Sequence, residues 1–304
     1  MQNIKYLIVG TGGVGGSIAA MLALDGHDVT CIARGAHLES IRNNGLKFIS
    51  GLKGHQTIPI KACTAEEYND KADVIFVSVK GYSLDSIIDL LRKASDSKTV
   101  ILPLLNIFGT GERIKQLLPE NNVLAGCIYI VGYVSGPGEI TQMGETLRIV
   151  FGVLKGTTVD AEMLQTLHKN LIDSGIKTVV SDNIERDTFM KYSFISAMAC
   201  TGAYFDVPMR EVQKAGEVRD LFIGMSSESY KIGKAMGIEM PDDLIEQHLK
   251  VIDGLAPDST ASMQKDLANG HESEIDGLLF GFIRLAEKYN IDIPVYRRVA
   301  KKFA

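Results

Sequence analysis

A chain of 304 residues, 45% hydrophobic and 23% charged, is long enough for two domains with substantial cores, and its composition is that of an ordinary globular protein. A formal charge of −5 without any long Lys/Arg block argues against nucleic acid as the main partner, and the longest apolar run, Val123–Val134, is too short to cross a bilayer. Its four cysteines (Cys31, Cys63, Cys127 and Cys200) lie far apart with no C-x-x-C pair, which suggests neither a zinc site nor a disulfide framework and fits a reducing cytoplasm.

The apolar run Tyr6–Val9 stands so near the first residue that no signal peptide is expected. It leads into Gly10-Thr11-Gly12-Gly13-Val14-Gly15, and a helix-compatible segment, Ser17–Leu24, follows. Gly10, Gly12 and Gly15 fit G-x-G-x-x-G between a strand and a helix, where the pattern has a physical meaning. The first glycine permits a tight turn, the second lets backbone approach a pyrophosphate, and the third lets helix pack on strand. Free N–H groups at the helix start then face the phosphates. The expected domain is a dinucleotide-binding one.

The first helix should end at Asp25-Gly26, and a strand, His27–Ala33, runs into Arg34-Gly35. In the dinucleotide fold an acid at the end of the second strand bonds the ribose 2′-OH, whereas an arginine suits a 2′-phosphate. Arg34 stands roughly 20 residues beyond Gly15, where the acid is expected. The sequence therefore favours NADP(H) over NAD(H), although Arg34 also reads as a solvated loop arginine.

Ala36–Asn43 reads as a short helix, Leu46–Ile60 as a hairpin with His55 at the surface, and Thr64-x-x-Glu67 as a capping box for a brief helix. Ala72–Val79 is a buried parallel strand ending in Lys80, and Ser83 can cap a helix over Leu84–Lys93. Thr99–Leu105 is another buried strand, ending in Asn106 before the helix Gly111–Leu118. This alternation implies a doubly wound sheet, with ligands beyond the carboxyl ends of its strands. The glycine loop, Arg34, Lys80 and Asn106 share that edge, although Lys80 also reads as a loop cation and Asn106 as a turn residue.

Val123–Val134, GPGEI, TQMG and TLRIVFG read as strands extending the sheet antiparallel, followed by the helix Ala161–Ser174 and the strand Ile176–Val180. Beyond 181–182 the pattern becomes helical. The expected segments are Glu185–Phe205, Arg210–Met236, Asp242–Asp253, Ser262–Ala268, Glu274–Tyr289 and Val295–Phe303. The basic RRVAKKFA reads as the solvated face of a last helix. The organisation expected is thus α/β, a doubly wound (Rossmann-type) domain over 1–181 followed by an all-helical domain over 182–304. Lys191 lies in the apolar sequence FMKYSFISAMA, where it can reach a cleft as a proton donor or snorkel at a helix edge. Glu274 opens a helix and Ser262 most simply caps one.

Taken together, these residues resemble the ketopantoate reductase (2-dehydropantoate 2-reductase) family over essentially the whole chain. The most specific stretch is SMQKDLANGHESEID, Ser262–Asp276, similar to the family's S-M-x-x-D…G-x-x-[ST]-E-I-D pattern, with Pro294 at the expected distance. GTGGVG, the strand ending at Lys80, LLN ending at Asn106 and the helix with Lys191 complete the match. The resemblance implies NADPH-dependent reduction of ketopantoate to pantoate in pantothenate synthesis. It implies Lys191 as general acid, Glu274 on the substrate hydroxyls and Ser262 at its carboxylate region. Asn106 and Lys80 would lie near substrate and nicotinamide, with Arg34 on the 2′-phosphate.

The family commonly places asparagines one and two turns beyond the lysine, where this chain has Ile195 and Ala199, and Ile107-Phe108 separate Asn106 from Gly109. Ser196 is a candidate substitute for the missing amides, and a less oxygenated 2-keto acid is the alternative substrate. A non-catalytic NADP(H)-binding sensor is the reading from another class. Apolar positions on the last helices could bury a homodimer interface as readily as an intrachain core.

Overall fold

β1 (Lys5–Val9) alternates its side chains between two cores, which is possible only for a strand covered on both faces. Tyr6 and Ile8 join Ile18, Met21, Phe76 and Phe151 on one side, while Leu7 and Val9 join Ile75, Val77, Leu91 and Ile114 on the other. The strand pairs in parallel with β2 (Asp28–Ile32) and β6 (Val74–Val77), so that Val9 stands level with both Ile32 and Val77. The carboxyl ends of three central strands therefore open on one edge.

In this computed structural model, which describes residues 4–303, the remaining strands are β3 (Leu46–Ser50), β4 (Gly54–Ile58), β5 (Lys61–Cys63), β7 (Val100–Pro103), β8 (Asn122–Gly136), β9 (Glu139–Val153) and β10 (Lys177–Val180). Their order is β4-β3-β9-β8-β7-β6-β1-β2-β5, with β10 parallel to β9. Pairing is parallel from β5 through β8 and antiparallel between β8 and β9. The chain reverses its direction of winding between β1 and β6, the place where doubly wound sheets form their ligand crevice. The helices of this unit are α1 (Gly13–Leu24), α2 (Gly35–Asn44), α3 (Ile88–Ala94), α4 (Thr110–Leu117) and α5 (Ala161–Asp173). The Asp160 carboxylate caps α5 through the N–H groups of Glu162 and Met163.

Several local expectations are corrected. Thr64 and Glu67 do form the reciprocal bonds of a capping box, Thr64 N to Glu67 Oε2 at 2.8 Å and Glu67 N to Thr64 Oγ1 at 3.3 Å, yet only a turn follows. Ser83 caps no α-helix: two short 3₁₀ turns occupy Gly81–Ser83 and Asp85–Ile87, and α3 starts at Ile88. The segments after Val123 are two continuous 15-residue strands rather than several short ones, with register shifts absorbing the glycines.

The chain divides into two units, one with the residues up to Leu105 and Gly109–Glu185, the other with Asn106–Phe108 and the residues from Arg186 onward. The second is helical: α6 (Ile184–Phe205), α7 (Met209–Gln213), α8 (Glu217–Ala235), α9 (Leu244–Asp253), α10 (Ser262–Ala268), α11 (Gly281–Tyr289) and α12 (Pro294–Ala300). The single helix expected over Arg210–Met236 is two, because Gly216 adopts φ +133°, a conformation no helix accommodates. Glu274–Tyr289 is not one regular helix either, since Asp276–Phe280 forms a π-helical turn ahead of α11. The basic terminal segment does more than face solvent. Lys302 Nζ donates to the carbonyls of Ala203 and Tyr204 at the end of α6, and Arg298 pairs with Glu217 at 2.6 Å. No helix among the described residues is long and apolar enough to cross a membrane.

Candidate active site

The glycine loop is built from unequal requirements. A Cβ on Gly10, at φ +99°, would lie 2.9 Å from the backbone of Ser78 and Val79, and one on Gly15 would lie 2.2 Å from the Gly10 carbonyl oxygen. A Cβ on Gly13 would lie 2.2 Å from the Gly132 carbonyl oxygen. These glycines serve protein packing. Gly12 does not, because nothing lies within 4 Å of its Cβ position. It is the N-cap residue of α1, where no side chain caps the helix start. Open space beside uncapped backbone N–H groups fits an anionic diphosphate.

The loop is braced by Thr11, whose Oγ1 donates to the Ile32 carbonyl at 2.9 Å, and by Ser78, whose Oγ donates to the Gly10 carbonyl at 2.8 Å. Val14 packs on the core below the helix. Arg34 follows β2 and is exposed at the N-cap position of α2 without a capping side-chain bond. Lys80, half-buried, begins the 3₁₀ turn after β6. The first unit thus sets the glycine loop, Arg34 and Lys80 just beyond strand ends brought level by Val9, Ile32 and Val77.

Within the second unit, Lys191 projects from α6 into a site where it is only 6% exposed, and its Nζ donates to Asn106 Oδ1 at 2.9 Å. Asn106 follows β7 in the chain but belongs to the helical unit. Ile107 lies against Gly277, and the Phe108 ring packs edge-on against Phe189 at 5.1 Å. Glu274 is 5% exposed and precedes the π-helical turn. Buried cations and carboxylates are costly unless held by partners, which makes Lys191 and Glu274 candidates for functional roles.

Ser262 does not cap α10; the N-cap residue is Ala261, and Ser262 is exposed in the first turn. No hydrogen bond joins it to Lys191, Asn106 or Glu274. Ser196 is also reassigned, because its hydroxyl donates to the Leu278 carbonyl at 2.5 Å and lies 2.9 Å from the Tyr296 hydroxyl. It is spent inside the protein and replaces no missing amide. Ala199 is buried in the apolar core and Ile195 packs partly against it. Tyr192, Phe108 and Gly277 escaped the reading of the sequence. The one available signal was the pair Gly277 and Gly281, spaced one turn apart in an otherwise apolar helical pattern.

A doubly wound sheet with a fitting dinucleotide loop, joined to a helical unit with a buried lysine, defines a two-unit oxidoreductase of the dinucleotide-binding class. The models of ketopantoate reductase PanE/ApbA and of its C-terminal domain match residues 6–156 and 183–303, and the chain belongs to this family. It is 27% identical to an uncharacterized oxidoreductase of Bacillus subtilis over 296 residues, 97% of this chain and 96% of that protein. Among solved structures it is similar to a 2-dehydropantoate 2-reductase from Porphyromonas gingivalis W83, with 29% identity, 99% of each chain covered and a TM-score of 0.84. D-mandelate dehydrogenase in a ternary structure with NADH and anilino(oxo)acetate shares the fold, at a TM-score of 0.88 and 23% identity over 98% of this chain and 96% of that one.

Proposed function

We propose that this chain reduces ketopantoate to pantoate with NADPH, a step of pantothenate synthesis. The observation that carries the reading is the part-buried hydrogen bond from Lys191 Nζ to Asn106 Oδ1. The amide oxygen accepts from the ammonium and orients it, so Lys191 is aimed as well as charged. Bound NADPH would supply the hydride for the C2 carbonyl carbon. Lys191 gives its proton to the carbonyl oxygen as that oxygen becomes a hydroxyl, and solvent restores the proton. Glu274 accepts hydrogen bonds from substrate hydroxyls, and the exposed Ser262 hydroxyl donates to the carboxylate. Gly12 and the start of α1 receive the diphosphate, Arg34 the 2′-phosphate, while Lys80 and Asn106 each serve the binding of substrate or nicotinamide.

A second reading, reduction of a less oxygenated 2-keto acid, is favoured by one group of contacts. Ile195 and Ala199 offer no amide, and the Ser196 hydroxyl is already bonded within the protein. A substrate polar group left unpaired there loses roughly 1–3 kcal/mol, enough to shift preference toward an apolar substituent. A sensor without chemistry has no use for a buried lysine and a buried carboxylate, which weighs against that alternative.

NADPH consumption measured with ketopantoate and with a panel of alkyl and aryl 2-keto acids tests these readings. Turnover of ketopantoate above the panel is expected. Turnover confined to the simpler acids replaces it with the second reading, and NADPH binding without turnover on any acid leaves the sensor.

A further inference from the structure

We propose that the hydroxyls of Tyr192 and Ser196 are positioning groups that hold the π-helical turn after Glu274 in register with α6, and so set the Glu274 carboxylate relative to Lys191. The proposal rests on Lys191 and Glu274 being the working residues of the site.

A π-helical turn needs support, because its i→i+5 bonding carries one residue more than an α-helix can place. Here the Gly281 N–H reaches back to the Asp276 carbonyl. The support comes from α6. Tyr192 donates its hydroxyl to the Gly277 carbonyl at 2.6 Å, and Ser196 donates to the next carbonyl, that of Leu278, at 2.5 Å. Tyr192 and Ser196 are one turn apart, hence on one face of α6. Two hydroxyls in fixed spacing on two consecutive carbonyls define a register that a single contact would not.

The glycines of the turn are explained by the same contacts. A Cβ on Gly281 would stand 2.5 Å from the Tyr192 hydroxyl oxygen, and one on Gly277 would stand 2.2 Å from Ile107 Cδ1. The Tyr192 ring stacks on Phe282 at 4.4 Å and on Phe108 at 6.2 Å. One side chain therefore neighbours Lys191 in sequence, touches the segment carrying Asn106 through Phe108, and bonds the turn that follows Glu274. A tyrosine serving only the core needs an acceptor for its hydroxyl, but not one beside each element of the site.

The test uses Tyr192→Phe, which keeps the stacked ring and removes one oxygen, together with Ser196→Ala and Glu274→Gln. In the Tyr192→Phe enzyme, kcat/KM for the 2-keto acid should fall about tenfold or more while NADPH affinity is unchanged. In the Glu274→Gln background the same substitution should add less than about twofold, because it acts through that carboxylate. Additive losses overturn the proposal. Amide hydrogen exchange gives a readout independent of activity. Residues 276–281 should exchange faster in Tyr192→Phe and faster still with Ser196→Ala, while α8 and α9 keep their protection; unchanged exchange in the turn overturns it as well. Absence of turnover on any 2-keto acid by the unaltered protein would instead defeat the functional reading, and exchange would still decide the register.

Discussion

Lys191 donates from Nζ to Asn106 Oδ1 across 2.9 Å, joining residues 85 positions apart in the chain. The amide oxygen of Asn106 orients the ammonium. Lys191→Ala should therefore nearly abolish keto-acid reduction while leaving NADPH affinity intact. Asn106→Leu, which keeps bulk and removes the acceptor, should lower kcat about tenfold to a hundredfold, because the donor is then present but unaimed. Single-turnover rates separate this from slower product release. Turnover within about twofold of the parent protein in either variant sinks the proposed pairing.

Arg34 carries a different expectation, since it follows β2 and is exposed. If its guanidinium meets the 2′-phosphate, Arg34→Ala should weaken NADPH by about tenfold to a hundredfold, the range of a charge-assisted hydrogen bond, and leave NADH nearly unchanged. Fluorescence titration with both dinucleotides measures this directly. Equal weakening of the two contradicts the assignment.

Much of this was legible in the sequence because it depends on local pattern. The strand before Gly10, the hairpin over Leu46–Ile60 and α10 over Ser262–Ala268 follow from periodicity and turn residues that act within a few positions. Arg34 and Lys80 could be placed because strand ends in a doubly wound sheet all open on one edge. What stayed hidden depends on distant partners. The fate of the Ser196 hydroxyl is decided by Leu278 and Tyr296, 82 and 100 residues away. Asn106 read as part of the sheet edge, but Ile107 and Phe108 pack it with the helical unit. The π-helical turn defeats a 3.6-residue period, so the single helix expected from Glu274 is broken at the point where α6 presses into it.

His248 on α9 should govern part of the acid sensitivity. It is buried, with Nδ1 3.1 Å from Ser226 Oγ, Nε2 3.4 Å from Ser193 Oγ, and the Phe194 ring edge-on at 5.3 Å. Burial among these neutral groups pushes its pKa down to about 4 from the ordinary 6.5. The unfolded chain thus binds the proton more readily than the native one between these values. The contribution to stability is complete above about pH 6.5 and lost as pH falls toward 4, on the order of 3 kcal/mol over the window. Urea unfolding at pH 7 and pH 4.5 should show this loss, and His248→Gln should shrink it. An unchanged difference between the two pH values contradicts the role.

Glu228 on α8 answers a need that α12 cannot meet itself. Pro294 opens α12 and no local side chain caps it, while Glu228 accepts from the Val295 N–H at 2.8 Å and from the Tyr296 N–H at 2.9 Å. The carboxylate acts as a cap supplied by another helix, and Val295 reaches it over Gly224, where a Cβ would lie 3.1 Å away. Burial nevertheless pushes the Glu228 carboxyl above its usual range, so desolvation outweighs the two N–H donors. Its native form then holds a proton more tightly than the unfolded chain, and its contribution falls as pH rises through the ordinary carboxylate range, opposite in slope to that of His248. Glu228→Ala should cost about 1–3 kcal/mol by leaving the Val295 and Tyr296 N–H groups, the second of them buried, without this acceptor. Glu228→Gln should cost less, since its amide oxygen still accepts from one of them. It should also steepen the rise of stability with pH, because the opposing slope of Glu228 is gone while that of His248 remains. Chemical unfolding of the two variants at several pH values distinguishes these outcomes, and equal losses for Ala and Gln would show that Glu228 acts through packing instead of as a cap.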